Sequence, residues 1–551
     1  MRRVLAALLL ALGSRPAVAQ TPEQVHRLAL LGKVWGFLKY YHAGVATGTV
    51  NWDSVAVAAV PRVRAAASAA EFNGVLQSLF DAAGPVIPCG TRCTPNPPDS
   101  LRANVDLRWL AGYGQLSPDI ARQLEMVRDN HHVGRSRYVR YALTATFDTD
   151  TAYNSPAYPD DGVRVLALYR FWNAARYFFP YMYVNDGDWD TVLPEFIPRL
   201  LAAKDAEQYH LTLVELTTRL RDTHVGGGSP EVVRALGSRF PWFEPRSIEG
   251  KVVVWKFQAE APPGGGGLRV GDVITHVDGA SLEQRRRDLA KFVAAGNPAA
   301  FERKLVGSML RERTDSVTYT IDRNGTSMTV RVAMAPVPTG PTPPKTYPVS
   351  ELVRMLPNSS IGYVNMGDIN ANQVDSAIAI VKNAKGIVMD VRNYPRGTMY
   401  MFANFFNPTA RPFVKFTSVD STYPGAVVWT PPMMAGLSNG NADSFKGRVA
   451  ILVDERTQSH AEFSVMALRT SPQNKVIGSQ TAGADGNITR LTLPSGFRTL
   501  FTGLGVFYPD GTKTQRIGIV PDIQVRPTLK GFRAGRDEVL ERAIQYIETG
   551  R

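Results

Sequence analysis

Cysteine is nearly absent, with Cys89 and Cys93 the only two in 551 residues. They stand in Cys-Gly-Thr-Arg-Cys, which reads as a local disulfide in an oxidising compartment. A metal site there would need two further ligands nearby, and His131-His132 is the only clustered histidine pair. No metal and no other cofactor is expected. Long apolar runs are also missing, since after the first residues no stretch approaches the ~18 apolar residues of a membrane span. Basic residues exceed acidic ones, 62 against 49, but they form no block and no aromatic-interleaved stripe, so nucleic acid is not an expected partner.

What is present begins with a leader. Arg2 and Arg3, the apolar run Val4 to Leu12 and the small residues Ala17-Val18-Ala19 form a secretory pattern over residues 1–19. The mature chain then starts near Gln20, soluble and exported to the periplasm, the cell envelope or the medium. Losing Arg2, Arg3 and Arg15 lowers the formal charge from +13 to +10, a sign suited to association with an anionic cell surface. The 44% hydrophobic and 20% charged content is that of a globular protein, and the length implies several domains.

An internal repeat organises the N-terminal part. Trp35 and Trp52 are spaced like Trp172 and Trp189, and one fixed offset lays Lys39-Tyr40-Tyr41 on Arg176-Tyr177-Phe178 and Pro61-Arg62 on Pro198-Arg199. Apolar residues recur at helical spacing in both copies. Residues 20–84 and 162–228 therefore read as a duplicated helical cap, each copy helix, loop, helix, helix, with 85–161 between them an irregular insert. Period-two patterning marks strands in 229–335, with a hairpin turn at Asp322-Arg323-Asn324-Gly325. There, Gly267-Leu268-Arg269-Val270-Gly271-Asp272 followed by Val277-Asp278-Gly279 resembles the core of a PDZ domain. That resemblance implies capture of a chain terminus by strand addition near Gly267 and Leu268. Six prolines make 336–348 a stiff linker. Strands alternating with helices over 349–530 predict a mostly parallel sheet, and 531–551 ends in an amphipathic helix.

Ile451 to Phe463 runs from an apolar strand through a polar loop into Ser459-His460-Ala461-Glu462 at the start of a helix. A serine there lies near free N–H groups and the positive end of the helix dipole, which suits an oxyanion. Ser459 with Glu462 is equally a capping box. His224, before Gly226-Gly227-Gly228, reads on its own as a helix C-terminal residue or as a general base.

The strand–loop–Ser-x-Ala-Glu–helix segment, Thr481-Ala482-Gly483, Asp390 to Gly397 and Gly518-Ile519-Val520-Pro521-Asp522 occur in an order that resembles the tail-specific, C-terminal-processing and tricorn-type serine peptidases. The resemblance implies a multidomain α/β protein whose core is of the ClpP/crotonase-like type. It implies Ser459 as nucleophile of a peptidase acting on polypeptide tails or peptides, with the N–H groups of Gly397 and His460 as oxyanion donors. The tail-specific branch places its lysine base where Ala484 stands, which puts a Ser-Lys dyad in doubt. The histidine-dependent tricorn-like branch implies His224 as base, helped by the Thr223 hydroxyl. That branch has a glutamate where this chain has Gln515, so the third group stays open among Gln515, Asp485 and Asp510. The first repeat copy has Ala83 in place of the histidine, which makes it a structural duplicate. The same family includes retinoid-binding members, and on that alternative the aromatics Trp35, Tyr40, Tyr41, Trp172, Tyr177 and Phe178 line an apolar pocket. An esterase is a third reading, because the same machinery attacks esters.

Overall fold

The computed structural model describes residues 20–551 except 49, 95, 103, 112–113, 151–152, 154–155, 260, 262 and 337–345. The expected leader and most of the proline-rich linker therefore lie outside the described residues. Among the described residues no helix is long and apolar enough to cross a membrane.

Both repeat copies are built on three long helices: Pro22–Tyr41, Trp52–Ala65 and Ala69–Ala83, then Asp161–Phe178, Val192–Ala202 and Ala206–Thr218. Each copy is closed by the same clasp. The indole N–H of Trp35 donates to the carbonyl of Trp52 and the reverse bond returns, both at 2.9 Å. Trp172 and Trp189 repeat the exchange at 2.9 and 3.2 Å. A buried indole needs such a partner, and the 17-residue spacing supplies it twice. The copies meet where the first helix has no side chains: a Cβ on Gly36 would fall 1.9 Å from the Asn173 amide, and that amide donates to the Gly32 carbonyl at 3.0 Å.

The segment between the copies differs from the irregular insert expected. Pro118–Asp129 is a helix, capped by the Ser117 side chain and burying Ile120, Leu124 and Val127. Pro118 reads as a breaker in sequence, yet at the first helical position its missing N–H costs nothing. Cys89 and Cys93 are joined as a disulfide.

The next module is an antiparallel sheet with strand order Thr326–Ala333, Ser316–Arg323, Val273–Val277, Lys251–Phe257, Phe243–Ile248. Asn324 and Gly325 make its hairpin turn with positive φ. Helices Leu282–Leu289 and Pro298–Met309 complete it.

The C-terminal core holds a second sheet, ordered Val353–Met355, Ile361–Asn365, Gly386–Asp390, Arg448–Val453, Asn474–Gly478, Ile523–Gln524. Every pairing but the first is parallel. Alternation along the strands fills two cores. Ile387, Met389, Val449 and Ile451 face the helices Met399–Phe406 and His460–Leu468. Val388, Ala450 and Leu452 face the terminal helix Glu538–Thr549. Strands covered on both faces are continuously apolar, which made them legible in sequence. A small sheet was not: Gly226–Gly228, from the end of the cap, pairs antiparallel with Arg498–Thr502 of the core. It carries the cap into the site.

Candidate active site

Ser459 follows strand Arg448–Val453 and immediately precedes helix His460–Leu468. Its φ is 57° and its ψ −127°, a conformation that costs a residue with a side chain about 1–3 kcal/mol and persists only where the surroundings impose it. They do so through Glu462, which is fully buried. Its carboxylate accepts from the N–H groups of Gly483 at 2.8 Å, Ala484 at 3.0 Å and Ser459 at 3.3 Å, and from the Thr481 hydroxyl. Ser459 N–H also donates to the Ala484 carbonyl at 2.9 Å. The capping-box arrangement of Ser459 with Glu462 is thus present, and its carboxylate serves two strands of chain at once. Burial pushes the Glu462 carboxyl up, against the pull of those hydrogen bonds. Gly518 packs on the same spot: a Cβ there would lie 2.4 Å from the Thr481 hydroxyl.

Two N–H groups were expected as oxyanion donors: that of His460, next to Ser459 in the chain, and that of Gly397. Gly397 has φ 79°, and the nearest atom to a Cβ built on it is His460 Nε2 at 3.9 Å. Neither the Gly397 N–H nor the His460 N–H donates to an acceptor among the described residues. The His460 imidazole stacks on Phe463 at 5.9 Å.

His224 is positioned by the small sheet. Gly228 pairs with Arg498 and Gly226 with Leu500, so the register carried two residues further sets His224 opposite Thr502. The imidazole Nδ1 is 2.7 Å from the Thr502 hydroxyl. That hydroxyl donates to Asp222 Oδ1 at 3.0 Å, and Thr502 N–H donates to Asp222 Oδ2 at 2.7 Å. Asp222 is fully buried and also accepts from the His224 N–H at 3.1 Å and from the Gln515 amide at 3.2 Å. Behind the turn, Lys304 Nζ donates to the carbonyls of Thr223 and Val225 at 3.1 and 2.9 Å. Burial lowers the His224 pKa below 6.5; Asp222 opposes the shift and Lys304 reinforces it. Burial also lowers Lys304 to about 8. A cavity of about 340 Å³ lies beside this turn, between cap and β module, lined by Val225, Gly226, Gly227, Phe240, Phe292 and Lys304 among others.

Some expected partners stand elsewhere. The Thr223 hydroxyl, expected to assist His224, instead donates to the Ala482 carbonyl at 2.9 Å and accepts from the Gly296 N–H at 2.8 Å. It ties cap, β module and core together, and the side chain is fully used there. Gln515 reaches Asp222 rather than Thr223 or His224. Asp485 is buried beside Glu462, and burial drives its carboxyl far up. Asp510 sits on an exposed turn, accepting from the Thr512 N–H at 2.8 Å. Asp222 and Thr502 were not singled out in sequence. Asp222 was readable as a carboxylate two residues before His224, whereas Thr502 lies 278 residues away and carried no local signal.

In the β module, Leu268 is buried in the core and its N–H donates to the Gly265 carbonyl at 3.2 Å. The Gly267 carbonyl accepts from Arg323 at 2.8 Å. The repeat aromatics Trp35, Tyr40, Tyr41, Trp172, Tyr177 and Phe178 are all buried in one cluster. Tyr40 packs edge-on against Tyr177 and Phe178.

Residues 360–525 match the model of peptidase family S41. The "Probable CtpA-like serine protease" of Staphylococcus haemolyticus is 25% identical over 319 residues, 55% of this chain and 58% of that protein. A tricorn protease homolog of Streptomyces coelicolor is 22% identical over 389 residues, 66% of this chain but 30% of that protein. The chain thus matches little more than half the length of one of these relatives and less than a third of the other. Among solved structures, mature CPAF complexed with lactacystin superposes with a TM-score of 0.53 at 14% identity, covering 70% of this chain and 99% of that one. A CPAF mutant gives the same score at 15% identity, covering 71% and 98%. At this identity the likeness is one of fold. The strand before Ser459, the helix after it and the loops that carry Gly397, Gly483 and Gly518 all fall inside residues 360–525, the segment of the chain that matches peptidase family S41.

Proposed function

We propose that the protein is an exported serine peptidase that cleaves unfolded tails or peptides through an acyl-enzyme on Ser459, with His224 as general base. The observation that carries this reading is the strained Ser459 at a helix N-terminus, followed by the unengaged N–H of His460, whose ring lies beside Gly397 with its own unengaged N–H. Strain at a polar residue is stored where chemistry needs an exact placement, and N–H pairs aimed at one point suit a tetrahedral oxyanion. The histidine-dependent branch of the family is favoured because Ala484 stands where a lysine base belongs and His224 is kept neutral by burial at pH 7.

The steps follow. Ser459 Oγ attacks the substrate carbonyl while His224 Nε2 takes the hydroxyl proton, and the oxyanion is held by the two N–H groups. Collapse breaks the C–N bond as His224 returns the proton to the leaving amine, and water then releases the acyl group by the same route. In this reading the β module, with Gly267 and Leu268 before strand Val273–Val277, is PDZ-like and presents the substrate tail. The binding-protein alternative gains no support, since the repeat aromatics are spent on packing one another.

The test is hydrolysis of casein or a peptide by purified wild-type and Ser459→Ala protein. The variant should fold and lose cleavage. Cleavage at the wild-type rate would sink the reading.

A further inference from the structure

An imidazole that accepts a proton inside a protein becomes a buried cation, and a buried cation needs an anion or a chain of oriented dipoles ending in one. Gln515 supplies no charge. Glu462 is committed to the N–H groups of Ser459, Gly483 and Ala484, and Asp510 faces an exposed turn. Asp485 accepts from the Gly486 N–H and has no contact with His224. We infer that Asp222, acting through the Thr502 hydroxyl, is the anionic partner of His224, and that Gln515 holds Asp222 in place. This deepens the reading above and rests on it.

The proton positions follow from donor counting. Asp222 is ringed by donors: the N–H groups of His224 and Thr502, the Gln515 amide and the Thr502 hydroxyl, at 2.7–3.2 Å. It acts as acceptor. The single hydroxyl proton of Thr502 therefore points to Asp222, which leaves an oxygen lone pair facing His224 Nδ1 at 2.7 Å. Nδ1 must then carry the proton and Nε2 must be bare, the tautomer a general base needs. No shift of position is required when Nε2 is protonated, because the hydrogen bonds already run from imidazole to hydroxyl to carboxylate. Thr502 and Asp222 are thus positioning residues. The charged groups facing His224 are Asp222 on its own turn and Lys304 from helix Pro298–Met309. Lys304 keeps its ammonium on the Thr223 and Val225 carbonyls and stays common to every variant below.

The experiment compares kcat and KM against pH on one peptide substrate for wild type, Thr502→Val, Thr502→Ser and Asp222→Asn. Thr502→Val should lower kcat by on the order of a hundredfold or more with little change in KM. It should also move the acid limb of kcat to lower pH, because the imidazolium loses its partner. Thr502→Ser should restore both, and Asp222→Asn should shift the limb in the same direction as Thr502→Val. A Thr502→Val enzyme with wild-type kcat and acid limb would overturn the inference, as would Thr502→Ser failing as badly as Thr502→Val. Should the valine variant not fold, nitrogen NMR of histidine-labelled Ser459→Ala protein reads the tautomer directly. Protonated Nδ1 with bare Nε2 at pH 7.5 supports the relay, and the opposite tautomer refutes it. The tautomer is read whether or not Ser459 proves to be the nucleophile, so failure of the relay and failure of the peptidase reading are separable.

Discussion

Two buried carboxyls stand back to back behind Ser459, and they are not equivalent. Glu462 has four donors, whereas Asp485 has the Gly486 N–H at 2.6 Å and an Oδ2 without a partner among the described residues. Burial and the neighbouring Glu462 both raise the Asp485 pKa. A carboxyl whose folded pKa lies above its unfolded value holds its proton more tightly when folded, so the fold is penalised as pH rises from about 4 toward the folded value. Asp485→Asn removes that penalty. Its melting temperature should exceed wild type by a margin that grows between pH 4 and pH 8; a margin that shrinks or stays flat would contradict the assignment. Glu462→Gln points an amide NH₂ at N–H groups that need an acceptor. It should cost about 1–3 kcal/mol by denaturant unfolding, with loss of hydrolysis as the Ser459 turn relaxes.

The helices, strands and turns divide into those the sequence announced and those it hid. The repeat was legible because its signal is local: two tryptophans, one spacing, twice. The parallel strands were legible because burial on both faces makes them continuously apolar. Ser459 stood out because strand, loop and helix start are contiguous in the chain. Thr502 did not, because its role exists only once Arg498–Thr502 pairs with Gly226–Gly228, and three glycines carry no alternation from which a strand is read. The Trp clasps give a prediction confined to packing. Trp35→Phe removes one indole donor and its bond to the Trp52 carbonyl, at a cost of about 0.5–1.5 kcal/mol in the unfolding free energy read by denaturant. At temperatures well below unfolding its kcat should match wild type, because the first copy carries no group of the site. Gly227→Val should do the reverse of this. A Cβ there meets the Phe497 ring at 2.6 Å, so the pairing that sets His224 against Thr502 is disturbed and kcat should fall.

Three parts of the molecule converge on one hydroxyl. Thr223 of the cap bridges the Gly296 N–H of the β module and the Ala482 carbonyl of the core. Nearby, Asn297 donates to the carbonyls of Thr481 at 2.9 Å and Arg516 at 3.2 Å. The order of cap, β module and core was readable from changes of hydrophobic period, but this convergence was not, since it joins residues hundreds of positions apart. Thr223→Val strands two buried polar groups and should cost about 2–3 kcal/mol or more, with kcat lowered and both restored by Thr223→Ser. A stable Thr223→Val protein would show that the three parts do not depend on this contact.

Activation of Ser459 by His224 is the step on which the proposed peptidase activity depends. The direct measurement is the pH dependence of covalent labelling by a fluorophosphonate, with the modified residue located by mass spectrometry. The adduct should lie on Ser459, its formation should fall on acidification with a midpoint below 6.5 as His224 takes a proton, and His224→Ala should abolish it. An adduct on another residue, or labelling of Ser459 that survives His224→Ala undiminished, would contradict the account.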